Sequence, residues 1–111
     1  MSAAAAGTVL VYVTAGDHET GHELAVRLVE ERLVACVNVV PGVTSVYRWE
    51  GAVQRDEEVL LLAKTRADRA QAVCARVAEL HAYDIPCAVV YPAAGGLPPY
   101  LDWLAEQASE G

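Results

Sequence analysis

Two kinds of hydrophobic repeat alternate along the chain. Thr8 to Thr14 (TVLVYVT) is β-branched and apolar at every position from Val9 to Val13, so it reads as a strand needing cover on both faces. Leu24, Ala25, Leu28 and Val29 then recur at the period of a helix. Thr20 and Glu23 ahead of them fit a capping box, in which hydroxyl and carboxylate each satisfy an orphan backbone amide, so this helix is expected to start at Thr20 and run to Arg32 or Leu33. From Ala35 to Gly51 (ACVNVVPGVTSVYRWEG) the period falls to two: Val37, Val39, Val43 and Tyr47 alternate with small or polar residues, as on a half-buried strand. Pro41-Gly42 interrupts it, which predicts a bulge, and Trp49-Glu50-Gly51 supplies the turn of a hairpin.

The returning run Val59 to Ala63 (VLLLA) is again apolar on both faces. Thr65 and Asp68 repeat the cap pattern, and Ala70, Val73, Cys74, Val77 and Leu80 form a second helical stripe ending near His81. Ile85 to Tyr91 reads as the fourth strand. Pro98-Pro99 can start a short helix docked through Tyr100, Leu101, Trp103 and Leu104. The order β-α-β-β-α-β-α predicts an α+β fold, a ferredoxin-like sandwich with an antiparallel sheet, two helices on one face and a C-terminal helix. It forms one domain over residues 8–108, after a tail, residues 1–7, expected to be disordered. The other sheet face is left uncovered although its strands are apolar on both sides, which predicts packing on further copies of the chain.

At 111 residues there is room for one core. Although 54% of the residues are hydrophobic, no apolar run approaches the ~18 residues of a membrane span. The net charge of −7 argues against a nucleic-acid partner and is compatible with cations. Cys36, Cys74 and Cys87 are odd in number and lack a C-x-x-C pair, so reduced thiols in a cytoplasm are expected rather than disulfides or a zinc ribbon. The first residues contain no Lys or Arg and make a poor signal peptide. His18-Glu19-Thr20-Gly21-His22 matches the H-E-x-x-H signature of zinc hydrolases. That chemistry needs both imidazoles on one helical face and a third ligand, and a helix starting at Thr20 would begin inside the motif, so no enzymatic activity is expected.

Four separated blocks add a further constraint: ACVNVVPGVTSVYRWEG; Glu58 with the apolar strand and Lys64-Thr65; His81-Ala82-Tyr83-Asp84-Ile85-Pro86; and Tyr100-Leu101-Asp102-Trp103. In order and spacing they closely resemble the CutA family of divalent-cation tolerance proteins. The resemblance implies a homotrimer of ferredoxin-like subunits, architecturally similar to PII signalling proteins. It also implies a response to copper or other divalent metal ions by binding, with no organic cofactor and no membrane or nucleic-acid partner; a PII-like scaffold for a small metabolite is the alternative. His81 stands where the family pattern reads His-Pro-Tyr and is the expected metal ligand, with the soft thiol of Cys87 beside it. Some members carry Cys where this chain has Val13, paired histidines where it has Leu80-His81, and Pro-Glu where it has Pro86-Cys87. Tyr47, Trp49, Glu50, Lys64, Tyr83, Asp84 and Trp103 are expected to gather near subunit boundaries, as pocket walls or interface anchors. Lys64 is the only lysine, with Glu50 or a bound anion as its expected partner.

Overall fold

The computed structural model describes residues 7–109; the expected tail lies outside them apart from Gly7. Strand β1 (Thr8–Ala15) leads into helix α1 (His18–Glu30), followed by the long strands β2 (Cys36–Trp49) and β3 (Ala52–Arg66). A single 3-10 turn (Ala67–Arg69) precedes helix α2 (Ala70–Leu80), then come strand β4 (Ala88–Pro92) and helix α3 (Pro98–Gln107). The sheet is antiparallel throughout, in the order β2-β3-β1-β4. This is the α+β sandwich expected from the element order.

The strand period of two divides the sheet into two unlike faces. Val9, Val11, Val13, Val59, Leu61 and Ala63 point to one side, where Leu24 and Leu28 of α1 and Val73 and Val77 of α2 close a core. Register puts Leu10, Tyr12, Leu60, Leu62, Val89 and Tyr91 on the other side. The second face is not wholly uncovered, as expected from the pattern, because α3 crosses one end of it. There Leu104 and Ala108 bury Ala35, and the Tyr100 hydroxyl reaches Cys36 and Lys64. The rest stays open, with Val89 and Tyr91 exposed.

Both expected helix caps are corrected. Asp17 caps α1: its backbone is extended and its carboxylate accepts the Thr20 N–H at 2.8 Å, so the helix begins at His18, two residues before Thr20. At the other end Arg32 adopts a left-handed conformation (φ 59°) and Leu33 N–H closes onto Leu28 C=O, ending the helix at Glu30. Thr65 is no cap either, because β3 continues through it to Arg66. Its side chain is fully buried and its hydroxyl donates to the Leu33 carbonyl at 2.7 Å, while Asp68 pairs with Arg66. The fourth strand begins at Ala88 rather than Ile85, since only from there does it pair with β1.

The hairpin has both irregularities read from the sequence. The ladder passes from Val40 opposite Leu60 to Val43 opposite Glu58, so Pro41 and Gly42 together face Val59 as a bulge, with Gly42 at φ 77°. At the tip Glu50 and Gly51 both have positive φ (51° and 80°), the signature of a type I′ turn, which favours Asn-Gly. Glu50 is therefore held where an L side chain costs about 1 kcal/mol. Glu50→Asn is expected to raise the unfolding midpoint in urea with an unchanged slope; an unchanged or lower midpoint would remove the turn assignment.

Candidate functional site

Beyond the bulge, the open face of the sheet forms one wall of a cavity of about 740 Å³. Alternate residues supply it: Tyr12 and Thr14 from β1, Ser45, Tyr47 and Trp49 from β2, and Asp56 and Glu58 from β3. Gly16 and Glu57 extend the lining, and the segment between α2 and β4 closes it with Tyr83, Asp84, Ile85 and Cys87. No Lys or Arg is among the lining residues, whereas four carboxylates and one thiol are.

The polar groups are ordered among themselves. Tyr83 donates its hydroxyl to the buried Glu58 carboxylate at 2.8 Å. Burial, reinforced by that hydrogen bond and the Glu58 charge, pushes the phenol up to about 12, so Tyr83 acts as a donor at neutral pH and not as a base. Tyr47 donates to Asp56, and this bond raises its phenol in the same direction. Thr44, at the neighbouring position on β2, donates to Glu57 at 2.9 Å.

His81 is placed behind this wall. Its Nε2 lies 2.7 Å from the Thr14 carbonyl and its Nδ1 accepts the Tyr83 N–H at 3.1 Å, which fixes the neutral tautomer with the proton on Nε2. The ring sits 4.4 Å from that of Tyr83. His81 thus ties the end of α2 to β1 and holds Tyr83 against Glu58. To bind a metal it would have to release one of these two bonds. Among the described residues, no group of three or more His, Cys, Asp or Glu side chains is arranged to hold a metal ion.

Of the residues singled out by sequence, the cavity gathers Tyr47, Trp49, Tyr83, Asp84 and Cys87. Glu50 is at the hairpin tip, and Lys64 and Trp103 belong to the α3 end of the sheet. There Lys64 donates to the Tyr100 hydroxyl at 3.3 Å and lies over its ring, and Trp103 stacks on Tyr100 with centroids 5.6 Å apart. Tyr12, Asp56 and Glu57 were not anticipated, and Glu58 only as part of a motif. The signal for Tyr12, Asp56 and Glu58 was the same period of two that places Ser45, Tyr47 and Trp49 on one face, whereas Glu57, opposite Thr44 and one residue out of phase, carried none.

The chain matches the family described as CutA1 divalent ion tolerance protein over residues 9–107. It is 48% identical over 97 residues to the divalent-cation tolerance protein CutA of Thermus thermophilus, covering 87% of this chain and 94% of that protein. It is 46% identical over 97 residues to the chloroplastic protein CutA of Arabidopsis thaliana, covering 87% of this chain and 53% of the relative. The chain thus spans about half the length of that plant relative. The crystal structure of CutA1 from Oryza sativa superposes with a TM-score of 0.91 at 44% identity, over 95% of this chain and 96% of that one.

Proposed function

Because the chain belongs to the CutA1 divalent ion tolerance family, we propose that it responds to divalent metal ions by binding them in the acidic cleft of the open sheet face, as a non-catalytic homotrimer. The observation that carries this reading is the lining itself: Asp56, Glu57, Glu58, Asp84 and Cys87 surround the cavity with no basic side chain among them. Carboxylates attract a divalent ion and a thiol favours the softer ones, copper foremost. The donor chemistry fits. A single protomer does not supply three grouped ligands among the described residues, so water or a neighbouring copy completes the coordination. Assembly through the open face would bring such a copy to the cleft, since both lie on the same side of the sheet.

For the alternative, a PII-like scaffold for a small metabolite, the same lining weighs against an anionic ligand, which four carboxylates would repel. No helix among the described residues is long and apolar enough to cross a membrane. All three cysteines are free, which suits a reducing compartment such as the cytoplasm. Calorimetric titration with Cu2+ and Zn2+ tests the cleft. Glu58→Gln combined with Cys87→Ser is expected to lower the affinity of the cleft ion by about tenfold or more. Affinity unchanged by that pair of substitutions would overturn the site.

A further inference from the structure

We propose that His18 and His22 form a separate metal site, a two-imidazole chelate on the outer side of α1 that takes one exchangeable Cu2+, Ni2+ or Zn2+ ion. This stands on its own residues and not on the cleft. Because Asp17 caps the helix, His18 is its first residue and the whole H-E-x-x-H segment is helical. The two histidines are therefore one turn apart on one face. Gly21 is turned inward, where a Cβ would meet Val59, Ala15 and Leu61 at 3.3 to 3.5 Å, and this close approach to the sheet leaves both imidazoles in solvent.

The rings are nearly parallel, 10° between planes, with centroids 6.2 Å apart. Each ring nitrogen donates in its own plane, so both side chains, exposed and free to rotate, must turn their rings toward a common point; at metal–nitrogen distances of about 2.1 Å the ring centres then lie about 5 Å apart, close to the spacing already present. Among the described residues neither imidazole is hydrogen-bonded, in contrast to His81, whose two nitrogens are both engaged. The positive end of the helix dipole opposes a bound cation, and the Asp17 carboxylate at the same end offsets it. That carboxyl is held below the usual range by the Thr20 N–H and stays ionised.

Two protein ligands leave the remaining positions to water, which makes the ion exchangeable and ranks copper first by intrinsic affinity. Hydrolytic chemistry does not follow. The described residues group no third ligand with the pair, and neither His18, Glu19 nor His22 lines the cleft. Helix α1 lies on the sheet face opposite the open one, so assembly through the open face keeps the pair accessible.

The test is a titration of the full chain with Cu2+, followed by the imidazole proton resonances of its three histidines and by calorimetry. His18 and His22 are expected to broaden together below one equivalent, ahead of His81. His18→Gln and His22→Gln should each weaken this ion by about tenfold or more, whereas Glu58→Gln with Cys87→Ser should leave the paired broadening as it was. Both histidines are exposed, and circular dichroism verifies that the variants fold. Affinity within about twofold of the parent in either single variant, or broadening of one ring without the other, would overturn the chelate.

Discussion

Leu62→Glu is expected to convert the proposed homotrimer into a folded monomer, with the mass by light scattering falling from three times 11.8 kDa to 11.8 kDa. Leu62 sits mid-sheet on β3, between Tyr12 of β1 and Asn38 of β2, on the face away from α1 and α2. In the isolated protomer it is only half-buried, so a carboxylate there can remain hydrated and the core beneath is untouched. In an assembly closed by this face the same carboxylate is buried with no cation at either register partner, and the cost is several kcal/mol per ion. Repeated in every copy, that outweighs the margin of an interface of ordinary size. Far-ultraviolet circular dichroism should stay that of the parent. A variant that keeps the parent's mass at micromolar concentration would show that the copies do not meet through this face.

The same face shows why so much of the fold was legible. Which side of a strand a residue faces depends on a two-residue period, so the division of β3 into a core face through Leu61 and a second apolar face through Leu62 could be read without reference to anything distant. The bulge at Pro41-Gly42 and the turn at Glu50-Gly51 were equally local. What could not be read locally was decided by distant partners. Asp17 and Thr20 are both acceptable cap residues, and the choice between them sets the phase of α1, which the approach of Gly21 to Val59 fixes. Thr65 carries a cap-like spacing to Asp68, yet its hydroxyl serves a carbonyl 32 residues earlier. Lys64 was paired in expectation with Glu50 or a bound anion; the strand between Lys64 and Glu50 is extended at about 3.3 Å per residue, which puts Glu50 out of reach, and Lys64 turns to Tyr100 of α3. At His81 the residue type suggested a ligand. The carbonyl of Thr14 and the amide of Tyr83, which engage both of its nitrogens, leave no trace in the sequence around it.

Leu61→Ala, one residue before Leu62, is expected to have the opposite consequence: assembly retained and the fold weakened. Leu61 has no exposed surface and packs beneath α1, where its Cδ2 lies 3.5 Å from the Cβ position of Gly21. The helix residue facing it here is a glycine, which has no side chain to swing into the space. Truncation therefore leaves most of the cavity open and costs about 2–5 kcal/mol, toward the upper part of that range. For a domain of this size that lowers the thermal midpoint by roughly 10–20 °C, read at fixed protein concentration because association stabilises the folded chain. A drop of less than about 4 °C would mean that the core relaxes around the gap. The double variant sharpens the comparison. With Leu62→Glu removing the support of neighbouring copies, the same truncation takes a large share of the roughly 5–15 kcal/mol available to a single domain. Leu61→Ala/Leu62→Glu should then unfold at a lower urea concentration than either single variant. If instead Leu61→Ala alone lowered the mass, the two faces of β3 would not divide fold from assembly.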